Sequence, residues 1–510
     1  MNLLAVAVPH HDANLAWWDG GRVRYLKLER THQRKRFHLH RLCDWVGEAR
    51  AAWGLEPGAV DDCVFSFDPR ALPPALAPFL PPATWQALGT GQGLAADLAP
   101  PVCEWLGVKR ASLVSHHYAH ALSTWMLQPE PPDAAIVVDG VGDGRAWSVY
   151  RGDHLQAWGD VRRGSIGWGM REAGKLLGVQ AEHANDIAGK LMGLQSHGRV
   201  DATFRQRVRA LGFDRLGLAW SPRLWTDHVG DAARAQATLL DWAASVHAAT
   251  GDLLLDFFSR HVQPHERIAY AGGVAQNVVW NSVLKARYPG LTVPPHASDE
   301  GLALGALEWL RRRHGQPPMD LPGFPYAQHD EAVPPPSPAT VDAAARLLAQ
   351  GRTVGWYQGA GEIGPRALGH RSILLDARRP DGHAVLNRIK RREPYRPFGA
   401  AVLEEHFAQH FDGPADPYML YACQVHSAAF PAATHVDGSC RVQLVGAGSP
   451  LRPLLDRFHA LTGSPVLVNT SLNVAGRPLA AAPAHARELY AASPLDALVV
   501  GDELLSRRPG

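Results

Sequence analysis

Short apolar runs closed by glycine and aspartate turns occur twice in the same order along the chain. Residues 3–8 (LLAVAV) lead into His10, His11 and Asp12, and residues 13–18 and 22–29 read as two further strands around an Asp19-Gly20-Gly21 turn. Residues 134–138 (AAIVV) repeat the arrangement. Asp139-Gly140-Val141-Gly142-Asp143-Gly144 follows them, then strands over 145–150 and 154–159 around Arg151-Gly152-Asp153. Runs this short, punctuated by Gly and Asp, are strand and hairpin signals. Two unrelated hairpins satisfy the pattern, and so does a duplicated domain whose first strand in each copy ends in an aspartate. Helical spacing over 170–177 and 234–262 supplies connecting helices, so the expected class is α/β with mixed sheets.

The pattern breaks between Gly315 and Thr340, a stretch with eight prolines that follows an expected helix over 300–314. Proline-rich sequence without apolar periodicity favours an extended linker. The expected division is therefore 1–315, a linker over 316–340, and 341–510. A smaller proline cluster over 69–82 reads as a surface loop.

Composition narrows the class. With 46% hydrophobic and 20% charged residues the 510-residue chain is globular, and a net charge of +2 gives no global pull toward nucleic acid or an anionic membrane. Five scattered cysteines without a C-x-x-C pair argue for a reducing compartment, with neither a disulfide framework nor a thiolate zinc site. The N-terminus lacks the basic region of a signal peptide, and no apolar stretch reaches membrane-spanning length. A cytoplasmic protein is expected.

Four constellations carry candidate chemistry. His116 and His120, four apart, share one face of a helix at metal-ligand spacing, although 26 histidines make chance pairs common. Asp139 at a strand end and Asp299 in SDEG are the carboxylates that would complete a site for Zn²⁺ or Fe²⁺; Asp299 reads equally well as a helix N-cap. In Ala271-Gly272-Gly273-Val274-Ala275-Gln276-Asn277, a strand, two glycines and a helix permit close backbone approach to a ligand, or merely a tight turn. Residues 359–372 hold a formal G-x-G-x-x-G, but Pro365-Arg366 follows the third glycine where a dinucleotide fingerprint continues as helix. Ten Lys/Arg against four Asp/Glu lie between Arg352 and Arg396. Arg366, Arg371 and Arg396 sit among glycines and prolines as phosphate or carboxylate forks would, whereas Arg378, Arg379, Arg391 and Arg392 read as a solvated face. Finally, the apolar strand at 466–468 ends in Asn469-Thr470-Ser471-Leu472-Asn473, a position where α/β proteins place ligands.

Taken together these segments resemble the O-carbamoyltransferases of nodulation-factor and antibiotic biosynthesis (nodulation, cephamycin and tobramycin types). The likeness runs in order through HDA at Asp12, SHHYAHA at 115–121, VVDGVGD at 137–143, AGKLMGL at 188–194, GGVAQN and SDEGLALGA. It continues through GPRALGHRS, LNRIKRREPYRPF at 386–398 and LVNTSLNVAGRP at 467–478. GPRALGHRS with LNRIKRREPYRPF is the most specific pair. The resemblance implies a duplicated actin-like (ASKHA) ATPase-type N-terminal domain and a YrdC-like α/β C-terminal domain. It further implies that the second forms carbamoyl adenylate from carbamoyl phosphate and ATP, and that the first transfers the carbamoyl group to a hydroxyl of a small natural-product or sugar-like acceptor.

Carried over by position, His116, His120, Asp139 and Asp299 match metal ligands, for Fe²⁺ or Zn²⁺, with Mg²⁺ accompanying ATP. Gly273 and Asn277 match carbamoyl-adenylate contacts, and Lys35 a nucleotide-contacting lysine, although Gln33 stands where relatives carry Arg. Arg366, Lys390, Arg396, Arg441, Ser471 and Asn473 match positions that hold ATP and carbamoyl phosphate. Activating an acceptor hydroxyl calls for a base, and His11 or His10 beside Asp12 is the candidate; a mere substrate contact is the alternative. Gln195-Ser196-His197 replaces the family's Ala-Pro-Tyr and falls on the acceptor side. The other readings are carbamoyl transfer to a tRNA base or a protein thiol, and a non-catalytic nucleotide-binding module. No nucleic-acid or membrane partner is expected, and a homodimer is left open.

Overall fold

The computed structural model describes residues 1–8, 11–67, 73–80, 84, 93–128, 130–213, 221–426 and 428–507. His10 and residues 69–72 and 81–82 of the proline cluster lie outside them. The duplication expected from the turn pattern is present as two sheets of the same topology. In the first, Leu3–Val8 pairs antiparallel with Asn14–Trp18, which pairs with Val23–Lys27; on its other side Leu3–Val8 runs parallel to Asp62–Phe67, which in turn pairs with Ala111–Val114. In the second, Ala134–Gly142 pairs with Arg145–Arg151, and that strand with His154–Asp160. Ile268–Ala271 lies parallel to Ala134–Gly142, with Leu291–Thr292 beyond it. This repeated order of three antiparallel and two parallel strands is the actin-like architecture.

The first strand of each copy is apolar throughout because both of its faces are covered. Leu3, Ala5 and Ala7 face one core and Leu4, Val6 and Val8 another; Ala135 and Val137 join the former, Ala134, Ile136 and Val138 a third. The two-residue period of a strand thus assigns alternate side chains to different layers. Between the sheets lie the helices His116–Ser123 and Leu302–Arg313, which bury Tyr118, Ala119 and Leu122 against Leu302, Ala306 and Leu310. They cross at Gly305, where a Cβ would stand only 1.8 Å from the Ala119 carbonyl oxygen. Outside the second sheet the expected helix over 234–262 is divided into Ala232–Ala237 and Leu239–His261. Thr238 breaks it by turning its hydroxyl onto the Arg234 carbonyl while accepting from Trp225 Nε1.

The third sheet has nine strands among the described residues, flanked by Pro338–Ala349 and Arg452–Thr462 on one face and Gly382–Lys390 and Pro483–Ala492 on the other. Within the proline-rich segment, Met319 and Leu321 are buried and Gln328–Val333 forms a strand. That strand lies parallel to Val23–Lys27 in the first sheet and antiparallel to Gly359–Gly361 from the final third of the chain. Lys27 N donates to Gln328 Oε1 at 3.0 Å, and the buried Arg371–Asp330 pair (3.0 Å) ties the segment to the third sheet. No helix among the described residues is long and apolar enough to cross a membrane.

The crossing at Gly305 sets a stability prediction. Gly305→Ala forces the two helices apart and costs about 1–3 kcal/mol, lowering the Tm by several degrees. Gly47→Ala, on a helix with open space around the added methyl, should be neutral or stabilising. Calorimetric melting of both variants checks this; equal Tm values would refute the close-approach argument.

Candidate functional site

His116, His120, Asp139 and Asp299 converge although they come from three separate segments. One ligand atom from each lies within 4.8 Å of every other. His116 Nε2 stands 3.2 Å from Asp139 Oδ2 and 3.5 Å from Asp299 Oδ1, and His120 Nε2 stands 3.6 Å and 3.4 Å from the same atoms. The two Nε2 atoms are themselves 3.2 Å apart. All four residues are buried, and lone-pair nitrogens and carboxylate oxygens meeting at one point fit a single divalent cation of the zinc or iron type. Burial opposes a charged His116, but the Asp299 and Asp139 carboxylates outweigh it and raise its pKa well above the usual value. Burial likewise opposes ionised Asp139 and Asp299, and the imidazoles hold both well below the carboxylate range.

The local sequence explains the convergence. Asp139 Oδ1 accepts from the backbone N–H of Gly140 (2.7 Å) and of Gly273 (2.9 Å), so the Gly-Gly turn after Ile268–Ala271 locks the carboxylate. Gly272, at φ +94°, passes so close to the Val138 carbonyl that a Cβ would lie 2.3 Å from it. Asp143 accepts from Ser115 Oγ at 2.8 Å and from His116 N at 2.5 Å, holding the start of the helix that carries both histidines. Asp299 does not cap the following helix, contrary to one reading of SDEG: its side chain turns to the histidines. Asn14 Nδ2 donates to the carbonyls of Asp12 (2.7 Å) and Asp299 (2.9 Å), and its Oδ1 accepts from Ala303 N (3.0 Å).

Next to the quartet, His11 Nδ1 lies 2.9 Å from Asp12 Oδ2 and 3.6 Å from Asp299 Oδ2. Burial disfavours protonated His11, yet Asp299 and Asp12 raise its pKa above the usual value. Asp12, in the left-handed region at φ +59°, is paired with Arg36 and neighboured by Lys27 at 3.8 Å. Lys27 also binds Glu300 at 2.5 Å and Glu29 at 3.0 Å.

The cationic residues gather elsewhere. Arg366 and Arg441 are deeply placed and make no salt bridge among the described residues, and the Nε of each is buried without a partner. Burial, reinforced by Arg441 and Arg396, pushes Arg366 well below its usual pKa; burial and Arg396 bring Arg441 down to about 10. Lys390 Nζ bonds the Ser471 carbonyl, Ser471 Oγ (2.8 Å) and Asn473 Oδ1, so these three matched residues form one cluster. Burial, with Arg392, Lys35 and Arg396 nearby, drives the Lys390 pKa far down. Arg396 has Glu393 at 3.8 Å and Lys35 has Asp186 at 3.9 Å, so the uncompensated charge is that of Arg366 and Arg441. Burying such cations side by side makes a site that an anion completes.

One cavity of about 880 Å³ spans both groups. Its lining includes His11, Asp12, Lys35, Asp139, Gly273, Asn277, Asp299, Arg366, Arg396, Arg441, Ser471 and Asn473; His116, His120 and Lys390 stand behind the wall. Several expectations change. Arg371 is not a ligand fork: it is fully buried, donates to the carbonyls of Gln358, Gly359 and Ala480, and stacks 3.6 Å over Tyr357. Arg392 is not part of a solvated face: it lines the cavity, its guanidinium 4.1 Å over Phe398 and bonded to Asn387 Oδ1 and the Pro397 carbonyl. Arg378 and Arg379 do pair at the surface, with Asp376 and Asp381. Asn277 is engaged at both ends, capping Val278–Arg287 through Oδ1 to Trp280 N (3.2 Å) and meeting His247 Nε2 through Nδ2 (3.0 Å). Gln33 bonds the Arg30 and Leu479 carbonyls, joining the two parts of the chain.

Residues 94–307 match the family model for the carbamoyltransferase N-terminus, and residues 345–507 that for the carbamoyltransferase C-terminus. The chain is 29% identical to nodulation protein U of Bradyrhizobium diazoefficiens over 537 residues, covering 94% of this chain and 93% of that one. It is 29% identical over 442 residues to nodulation protein NolO of the same species, covering 78% and 79%. Among solved structures, T. kodakarensis HypF aligns over 62% of this chain and 48% of its own, with a TM-score of 0.39 and 16% identity.

Two predictions follow from the geometry. Metal-stripped protein should take up one equivalent of Zn²⁺ or Fe²⁺ by calorimetric titration, and Asp299→Asn should weaken that affinity tenfold or more; undiminished binding would move the ion elsewhere. His247, buried as an acceptor for Asn277, has its pKa lowered by burial from 6.5 to about 4. It stays neutral in the folded state while the unfolded chain binds a proton below pH 6.5. Its contribution, of order 3 kcal/mol, is therefore complete above pH 6.5 and lost as pH falls toward 4. His247→Gln should flatten the fall of Tm between pH 7 and pH 5, and parallel curves would contradict the assignment.

Proposed function

The chain belongs to the carbamoyltransferase family, and from that premise we propose that it is an ATP-dependent O-carbamoyltransferase with its two half-reactions at opposite ends of the shared cavity. In this reading residues 341–510 convert carbamoyl phosphate, one water and ATP into carbamoyl adenylate: hydrolysis of carbamoyl phosphate frees phosphate and carbamate, and the carbamate oxygen displaces pyrophosphate from ATP. Residues 1–315 then pass the carbamoyl group to a hydroxyl of a small acceptor, with AMP leaving. The observation that carries the proposal is a single cavity whose one end holds Arg366 and Arg441, without salt-bridge partners among the described residues, and whose other end holds the His/Asp quartet.

The division of labour follows from charge. Bringing two polyanions together demands fixed positive groups that need no reorganisation, and Arg366, Arg396 and Arg441 supply them, with Lys35 and Arg392 alongside. Lys390, held by Ser471 and Asn473 behind the wall, fixes the end of Val466–Ser471, and an anion bound nearby would favour the charge that burial and its cationic neighbours oppose. Mg²⁺ would enter with ATP. At the other end, a divalent ion held by His116, His120, Asp139 and Asp299 would supply Lewis-acid polarisation of a carbamoyl or phosphoryl oxygen. With its Nδ1 proton given to Asp12, His11 keeps a lone pair on Nε2, the nitrogen that takes the acceptor's hydroxyl proton. Asp12, fixed by Arg36 and the Lys27 network, sets that tautomer.

Pyrophosphate release tests this directly. Wild-type protein given ATP, Mg²⁺ and carbamoyl phosphate, without acceptor, should release pyrophosphate. Arg366→Ala should lose that release by 100-fold or more, and His116→Ala should keep it while losing carbamoyl transfer. Release that survives in the arginine variant, or disappears in both, would overturn the assignment of the two ends.

A further inference from the structure

The end of the cavity beside the quartet carries an aromatic surface that neither metal ligation nor phosphate binding uses. Trp168 sits in the first turn of Ile166–Leu176, remains 39% exposed and lines the cavity. Val141, 37% exposed, lines it as well. Two glycines bring the indole to this place. A Cβ on Gly167 would fall 2.8 Å from Gly140 Cα, and one on Gly140 would fall 3.3 Å from Trp168 Cδ1, so the helix start presses against the residue after Asp139. Ser165 Oγ bonds the carbonyls of Asp139 (3.2 Å) and Gly140 (2.6 Å) and accepts from Trp168 N (3.3 Å), fixing the junction.

Trp168 Nε1 makes no hydrogen bond among the described residues, and its ring is left in water at the lip of the reaction cavity. What sets this ring apart from the other exposed apolar side chains is its place in the lining of the reaction cavity, where an apolar face with a free N–H is open to a ligand. The nearest cation, Arg171, has its guanidinium 5.7 Å from the ring centroid and is paired with Glu172 at 3.0 Å, so the surface has no excess charge to attract a phosphate. The donors' anionic groups belong with Arg366, Arg396 and Arg441.

We propose that Trp168 is the platform on which the acceptor rests: a saturated, hydroxylated ring laid with its C–H face on the indole, placing one ring hydroxyl toward Asp139 and His11. This rests on the carbamoyl-transfer reading and adds the residue that selects the acceptor. Stacking suits a rigid ring over an open-chain polyol, because the ring presents its C–H face with little conformational freedom to lose. Trp168 is a recognition residue and takes no part in forming the adenylate.

Saturation-transfer NMR on the full-length protein tests it with three probes: methyl β-glucopyranoside, myo-inositol and open-chain sorbitol. The cyclic probes should receive saturation at their ring C–H protons, and sorbitol should receive at least tenfold less. Trp168→Ala should abolish the signal and Trp168→Phe should restore most of it, in variants whose melting temperatures match wild type. No transfer to either ring probe, or equal transfer in Trp168→Ala, would overturn the platform. Pyrophosphate release by the same wild-type preparation separates the two readings, since its absence refutes the carbamoyl-transfer assignment and its presence with a negative NMR result refutes the platform alone.

Discussion

Everything at the metal-type quartet depends on how closely two helices approach at Gly305. His116–Ser123 carries two of the four residues of the quartet, and Asp299 lies just before the helix Leu302–Arg313 that crosses it. With no side chain at the crossing, the backbones meet, and Asp299 comes within 3.5 Å of both imidazoles. Both helices are wedged between the sheets, so the spacing between the two halves of the duplication is also set there. Asn14 reinforces it from the first sheet by bonding the Asp12 and Asp299 carbonyls and the Ala303 N–H at once. A methyl group in the wrong place thus reaches the geometry of the quartet through rigid elements, not through a loop that yields.

The cavity divides its electrostatics between its ends. Around the quartet each buried charge has a partner: Asp12 with Arg36, and Lys27 with Glu300 and Glu29. At the other end Arg366 and Arg441 have none among the described residues, and burial beside like charges lowers the pKa of both. Such an arrangement lowers stability until an anion arrives and converts that repulsion into affinity. Glu300 links the regimes, binding Lys27 while its charge also favours ionised Arg366.

Local signals in the sequence were reliable where local physics governs. The paired hairpins were legible because turn residues and two-residue alternation act over a few positions, and His116 with His120 because helical spacing alone puts them on one face. Asp139 and Asp299 were legible as carboxylates at element ends, but only the fold decides that the Asp299 side chain faces the two imidazoles and does not cap. Arg392 was misread because it sits in a run of basic residues. Arg391 adopts the left-handed conformation at φ +50°, ends Gly382–Lys390 and turns the next side chain over Phe398. Arg371 misled in the opposite sense, since glycine-rich surroundings expose backbone carbonyls that a buried guanidinium satisfies as readily as a phosphate occupies it. Asp143 left a signal, the second aspartate of VVDGVGD, whose use in holding a helix start 27 residues earlier no local pattern reveals.

The strand Gln328–Val333 extends a sheet begun some three hundred residues before it, and this imposes an order of events on biosynthesis. Val23–Lys27 leaves the ribosome with one edge unpaired, and its partner is not yet made. At about 5–20 residues per second the edge stays open for roughly 15–60 s, while the second sheet and its helices are synthesised. An open strand edge invites pairing with another nascent chain. Arg24 and Lys27, the two charges in that strand, are the protection it carries during the wait, and in the finished molecule Lys27 is redeployed to hold Glu300 and Glu29.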